Sequence, residues 1–483
     1  MFFNSYISQK IGAEAVGLYG LIMSVYGFAI TIALSGINLA TTRIVAEEIA
    51  VGNIGNIKKV VRKCLIFSLF FSCIGSILLL TFAPLISKTW LHGKVSSVPF
   101  YIISISLPFI SMSSCLNGYF SAVRNTIKPA SDQILEQLLK VTLISLFLNH
   151  FMPCGLEYIC ISLILGNIIS EIISFIYIYI LYKFDKRKFD TYKPTKSFFE
   201  KRILEITLPV GLTSFIRSGL STLKQILIPL GFEKNGNSCD QALANYGLIT
   251  GMAMPLISFP NTIILTFSNL LIPEFAEFNA RSEHSRIHRI TKRILKYTLI
   301  FSIIISILLF IFSEQLSNFM YKTNSVSFYI KILAPLVPIM YIDNVVDAIL
   351  KGLDKQISVL KINILDLISS IILIFFLIPK FGIMGYVFII YFSELLNFVL
   401  SYSTLRKCRA VLKKRNHWGR KTWLEEGTVL FSNSKLIRRK KIIKLKIFEN
   451  VNVSFIHSLS RNGLEGACSI SHGEAQDSSL REC

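Results

Sequence analysis

Tyr19-Gly20-Leu21-Ile22 returns as Tyr246-Gly247-Leu248-Ile249, and the residues that follow each copy are alike through the next two apolar segments. In this register Glu47 falls on Glu274. After a shift of three residues, Ile57 to Leu91 aligns without gaps on Ile287 to Tyr321. There Phe71-Ser72 meets Phe301-Ser302, and Ser76-Ile77-Leu78-Leu79 meets Ser306-Ile307-Leu308-Leu309. Both copies are long apolar segments joined by short basic loops. A chain duplicated in this way and embedded in lipid has the pattern of a carrier whose substrate sits between two related halves.

Composition points to the same solvent. Of 483 residues, 52% are hydrophobic and only 17% charged, and the mean hydropathy is +0.56. A soluble chain of that length needs far more polar surface. Apolar segments lie near 17–42, 64–87, 99–123, 131–151, 156–182, 203–232, 242–272, 294–313, 327–350, 358–379 and 383–405, with a stump at 2–11 before them. Each full segment is long enough to cross about 30 Å of hydrocarbon as a helix. The expected fold is an all-α polytopic membrane protein in a phospholipid bilayer.

The net charge of +22 could signal nucleic acid, but its distribution argues otherwise. Lys and Arg gather in every second loop, among them Lys58, Lys59, Arg62 and Lys63, then the run from Lys183 to Arg202, then Arg281 to Lys296. The alternating loops hold 23 basic residues against 5. By the positive-inside rule the basic loops and the tail are expected in the cytoplasm, and no nucleic-acid partner is expected. The nine cysteines lack metal-type spacing, and Cys64, Cys73, Cys115 and Cys160 read as core thiols. Cys154 and Cys239 both fall in outward loops, which leaves a pairing between them open. Met1-Phe2-Phe3-Asn4 lacks the basic start of a cleavable signal peptide.

The order of helices, basic loops and outward turns is the same in 1–182 and 203–405, which read as two pseudo-symmetric six-helix membrane lobes. Residues 183–202 form a charged cytoplasmic linker between them. Pro153-Cys154-Gly155-Leu156 in the first lobe has its counterpart in Phe381-Gly382-Ile383-Met384-Gly385 in the second. The second lobe has a full helix, 203–232, ahead of its repeat, whereas only eighteen residues precede Tyr19. The register therefore predicts a truncated first helix. Residues 406–483, with Arg438-Arg439-Lys440-Lys441 and no sustained apolar run, are expected to be a basic, largely disordered cytoplasmic tail.

Gly251-Met252-Ala253-Met254-Pro255-Leu256-Ile257-Ser258-Phe259-Pro260, followed by Leu271-Ile272-Pro273-Glu274, resembles the stage V sporulation protein B family. Ile11-Gly12-Ala13-Glu14-Ala15-Val16-Gly17-Leu18-Tyr19, Gln133-Ile134-Leu135-Glu136-Gln137 and Thr207-Leu208-Pro209 support the likeness, which covers roughly 2–405. That family shares a superfamily with the MurJ lipid II flippases, the O-antigen flippases and the MATE drug exporters. The resemblance implies a V-shaped two-lobe bundle that moves lipid-linked sugars, in that family the peptidoglycan precursor of the spore cortex. It further implies a lipid-linked sugar pyrophosphate as substrate and cell-wall synthesis proteins as a partner class.

Ionisable residues at membrane depth cost several kcal/mol unless paired or wetted, so each is a functional candidate. Arg217 lies deep in 203–232, and Lys224 is seven residues later on the same face. A cation pair lining a cavity suits a pyrophosphate. The competing readings are an internal salt bridge for Arg217 and snorkelling for Lys224. Arg43, with Glu47 at i+4, is a further substrate-binding candidate, and a helix-end ion pair is the simpler reading. Asp132, Glu136 and Lys140 form a stripe that Asp343, Asp347 and Lys351 repeat. Glu136, Asp343 and Asp366 are candidate cavity acids for proton or sodium coupling. Neutralisation by a Lys one turn away competes with that, above all for Asp347. Glu171 with Asn167, and Glu394 with Asn397, read equally as interhelical hydrogen-bonding pairs. Gly251, Pro255 and Pro260 interrupt one helix and are candidate hinge residues, with a static kink as the alternative.

The seven histidines are scattered, and no Gly-rich phosphate loop is followed by Lys-Ser/Thr, so neither enzymatic chemistry nor direct use of ATP is expected. No cofactor or metal is expected either. The reading is a flippase or exporter of lipid-linked oligosaccharide or peptidoglycan precursor, working by alternating access. Three others stand beside it: a MATE-like cation or drug antiporter, a membrane-bound sugar transferase, and a non-transporting scaffold in cell-wall synthesis. Cationic cavity residues argue against the first, because organic cations prefer acidic and aromatic linings. Short outward loops argue against the second.

Overall fold

The structure is a computed structural model that describes residues 2–34, 36–90, 96–151, 155–189, 199–281 and 283–430. Every regular element among them is helical. Among the described residues, nine helices are long and apolar enough to cross a membrane, and a bent pair, Cys239–Ser258 with Asn261–Ala280, makes a tenth if it is one span. The two segments expected at 358–379 and 383–405 are one helical stretch, Gln356–Cys408, broken at Gly382 with φ 54°. All expected membrane segments are accounted for. Side chains on α3 (Ile57–Trp90), α4 (Val98–Ala122) and α11 (His284–Ile311) such as Phe70, Leu85, Ile105 and Ile307 are exposed, as lipid-facing positions are.

Helix α1 (Phe2–Leu34) bends at Gly12 (φ 78°), which separates the stump from the helix carrying the first repeat. Gly36 (φ 73°) then starts α2 (Ile37–Val51). The second copy runs through α8 (Cys239–Tyr246), a π-helical stretch Gly247–Ala253, α9 (Met254–Ser258) and α10 (Asn261–Ala280). The repeat reaches individual hydrogen bonds. Ser76 Oγ on α3 donates to Ser104 O at 2.7 Å, and Ser306 Oγ on α11 donates to Ala334 O at the same distance. Both partners sit 230 positions apart, so the duplicated sequence folds into duplicated contacts.

The two copies touch each other. A Cβ on Gly17 would lie 2.1 Å from Leu243 O, and one on Gly247 would lie 2.0 Å from Ala13 O. Only glycine permits this backbone approach, the usual device of close helix crossings in lipid. The stump joins the same region: Ser5 Oγ and Gln9 Nε2 both donate to Met320 O of α12 (Ser313–Tyr321), the latter at 2.6 Å. Helix α7 (Glu200–Lys234) reaches the other way. Phe199, just ahead of it, and its Ile203 are buried in a core with Ile44, Val60 and Tyr119 of the first half.

Residues to Ala410 form one compact unit. Val411–Cys483 is a second, of which the backbone is helical to Leu430, the end of α15 (Gln356–Leu430). Helix thus continues past Leu405, where a disordered tail was expected; Leu405-Arg406-Lys407-Cys408-Arg409-Ala410 is good helix-forming sequence. The remaining tail beyond 430, the linker residues 190–198 and Cys154 lie outside the described residues.

Candidate functional site

Helix α7 connects the candidate groups. It is amphipathic in an unusual sense, apolar enough to span a membrane yet carrying Arg202, Arg217 and Lys224. Arg202 and Arg217 are fifteen residues apart, roughly 22 Å along the axis at 1.5 Å per residue.

At the Arg202 end lies a cavity of about 530 Å³ lined by Arg43, Lys201, Arg202, Glu205 and Ile206. Glu47 is shared there. It accepts from Arg43 Nε at 3.1 Å on its own helix and from Arg202 Nη2 on α7. The expected Arg43–Glu47 pair is therefore present but is half of a three-member network joining α2 to α7. Lys63 and Glu200, 2.8 Å apart, add a second link between α3 and α7. Glu274, which matches Glu47 in the repeat, is exposed on α10.

Arg217 is exposed on α7 and makes no ion pair within 4 Å among the described residues. Its charge acts on Asp347 of α14 (Val337–Gly352). Lys224, half-buried, turns between the two arms of α15. Its Nζ donates to Ser370 Oγ at 3.1 Å and Ser393 Oγ at 3.4 Å, within the field of Asp366 and Glu394. The two cations expected to act together thus address different neighbours.

The acids of the second half form one polar network around them. Asp366 accepts from Ser393 Oγ at 2.6 Å, Asp347 from Ser401 Oγ at 3.1 Å, and Asp343 Oδ2 from Asn397 Nδ2 at 3.0 Å. Asp343 Oδ1 and Asn397 Oδ1 are buried without a hydrogen-bond partner among the described residues. Asp347 also feels Lys351, the partner expected from sequence. Asn397, paired in expectation with Glu394, bonds Asp343 instead.

Glu136 of α5 (Ile127–Phe151) is half-buried beside Lys140, Asp132 and Glu171. Asp132 is buried and accepts from Ser174 Oγ at 2.7 Å. Glu171 on α6 (Leu156–Asp185) accepts from Asn167 Nδ2 and from Tyr26 OH, both at 2.7 Å. Sequence reasoning found the acids but missed Tyr26, Ser174, Ser393 and Ser401. A hydroxyl on a remote helix leaves no periodic signal.

The helix with Gly251, Pro255 and Pro260 is broken as expected, bent by 60° at Phe259–Pro260. Gly251 lies in the π-helical stretch, where a Cβ would meet Val16 Cγ1 at 2.2 Å. Freed carbonyls find hydroxyl donors: Tyr321 OH bonds Met252 O at 2.9 Å, and Tyr341 OH bonds Ile257 O at 2.8 Å. Such π-bulges mark functional sites often enough to be noted.

Comparison with known proteins converges on one group. The profile of the polysaccharide biosynthesis protein family matches residues 1–279, and the MatE profile matches 238–376. Stage V sporulation protein B of Bacillus subtilis (strain 168) is 27% identical over 412 residues, covering 83% of this chain and 79% of the relative. Sporulation protein YkvU of the same organism is 20% identical over 335 residues, 69% of this chain and 74% of its own. Among solved structures, an inward-facing multidrug resistance MATE family transporter of the MOP superfamily superposes with TM-score 0.68 at 15% identity, covering 86% of this chain and 94% of that one. A MOP superfamily transporter from Pyrococcus furiosus, described as having a binding pocket of reverse polarity, gives TM-score 0.61 at 15% identity, covering 85% and 91%. These structural likenesses establish the fold.

Proposed function

This chain belongs to the polysaccharide biosynthesis protein family, and from that premise we propose that it flips a lipid-linked oligosaccharide or peptidoglycan precursor across a cell membrane. The observation that carries the reading is the cationic path along α7: Arg43, Lys201 and Arg202 around one cavity, then Arg217 about four turns further on. Guanidinium forks match phosphate oxygens two at a time, and a pyrophosphate is the part of such a lipid that most needs a charged route through hydrocarbon. Likeness to stage V sporulation protein B supports spore cortex synthesis as the setting. The chemistry is transport, not bond making.

Alternating access then works by rocking of the two halves, 1–182 and 203–405, with Gly251, Pro255 and Pro260 absorbing the bend. Glu136, Asp343 and Asp366 couple the cycle to a cation gradient; Asp343 Oδ1, buried with no hydrogen-bond partner among the described residues, supports this assignment. A MATE-like cation antiporter would put those acids, not Arg217, in contact with substrate. Arg217 distinguishes the two. Arg217→Ala should abolish translocation of a pyrophosphate-linked sugar lipid in proteoliposomes while leaving the protein inserted, and Arg217→Lys should restore it partly, because the fork is lost. Undiminished translocation by the Ala variant would count against the flippase.

The basic loops and the tail face the cytoplasm in this reading. A Ser285→Cys variant in a cysteine-free background should resist an impermeant thiol reagent in intact cells and react after permeabilisation. Labelling from outside reverses the orientation.

A further inference from the structure

A second cavity, of about 330 Å³, lies where α1 of the first half meets α7. Its walls carry Ser218, Ser221 and Gln225 on α7, facing Gly20, Met23 and Gly27 on α1. Among the described residues, none that lines it is ionisable. The size is at the small end of the ~300–1,000 Å³ typical of small-molecule pockets.

Its polar groups divide into those already engaged and those left over. Thr222 Oγ1 donates to Ser24 O at 3.0 Å, and Ser24 Oγ donates to Leu21 O at 2.7 Å, so both serve the helix contact. Thr31 Oγ1 shares its single hydrogen between Gly27 O at 2.8 Å and Ser218 Oγ at 3.0 Å, so the Ser218 hydroxyl is engaged with Thr31. Gln225 Oε1 accepts from Tyr246 OH at 3.3 Å. That bond orients the amide and leaves its NH₂ as a donor pair. The Ser221 hydroxyl makes no hydrogen bond among the described residues and can donate and accept. These groups recur at i, i+3 and i+7, one face of α7. Across from them, Gly20 and Gly27 lie on either side of Met23, and Gly27 leaves open space where a Cβ would sit.

We propose that this cavity holds a sugar ring of the lipid-linked substrate. Ring hydroxyls both donate and accept, which suits uncharged hydroxyl and amide groups, and the open space at Gly27 leaves room for a ring beside them. A cationic drug would find no carboxylate there. Placement strengthens the assignment: Arg217 immediately precedes Ser218, and Ser221 is its i+4 neighbour, so a cation and a neutral pocket adjoin on one helix as phosphate and sugar adjoin in the substrate. The assignment rests on the flippase reading through Arg217.

Two variants test it on the full-length protein in nanodiscs. Gly27→Leu fills the cavity at a position where a Cβ meets nothing within 4 Å. Gln225→Leu removes the donors. Binding is measured for two probes, a polyprenyl pyrophosphate bearing N-acetylglucosamine and the same polyprenyl pyrophosphate without sugar. Each variant should lose about tenfold or more in affinity for the first, the worth of one or two hydrogen bonds, and bind the second as the unmodified protein does. Arg217→Ala should weaken both. Equal loss for both probes, or loss for neither, overturns the sugar site while leaving the flippase standing. An unmodified protein that binds neither probe overturns both.

Discussion

Glu47 shows how much one carboxylate can organise. It holds Arg43 of its own helix and Arg202 of α7, residues 159 positions apart in the chain. All three are substantially exposed, so the network is worth little as stability, about 0–1 kcal/mol. Its consequence is electrostatic: an anion entering the cavity competes with Glu47 for the two guanidiniums. Glu47→Ala should therefore leave the unfolding midpoint nearly unchanged and raise affinity for inorganic pyrophosphate severalfold, as read by titration calorimetry. Unchanged or weaker binding would remove the competition argument. Which residues to single out as candidates at this scale was legible from the cost of burying charge. Their partners were not, because Arg217 meets the field of Asp347 and Lys224 meets Ser370 and Ser393, all more than a hundred residues away.

At the scale of the element, the broken helix 239–280 combines readable and unreadable features. Pro255 and Pro260 announce the break, because proline lacks the N–H that the preceding turn needs. The π-helical register at Gly247–Ala253 has no such marker. It is accommodated from outside, by glycine crossings with α1 and by tyrosine hydroxyls from α12 and α14. Tyr341 is completely buried and its hydroxyl serves Ile257 O. Tyr341→Phe keeps the ring and removes the donor, and should destabilise the folded protein by about 1 kcal/mol, the usual worth of an interhelical hydrogen bond in a membrane. Denaturant unfolding in detergent measures it; a variant as stable as the parent would show that water replaces the hydroxyl.

For the whole molecule, the rocking proposed above would require the glycine crossing of α1 with α8 and the π-helical stretch to open and close. An ideal Cβ on Gly251 lies 3.6 Å from Val16 Cβ, inside the range of a disulfide. The pair Val16→Cys with Gly251→Cys should cross-link readily under mild oxidation, arrest translocation, and regain it on reduction. Transport at full rate by the cross-linked protein would mean that this contact is static and the halves move elsewhere. Helix count, the duplication and the alternation of basic loops were set by the sequence alone, since each is a running sum of residue transfer energies or a comparison of the chain with itself. Pairing of α1 with the π-helical stretch, the Glu47 network, the acid–hydroxyl cluster around Lys224 and the neutral cavity beside Arg217 were decided only by the tertiary structure. Each depends on distances between helices remote in the chain, and side chains separated by hundreds of residues leave no mark on one another's local sequence.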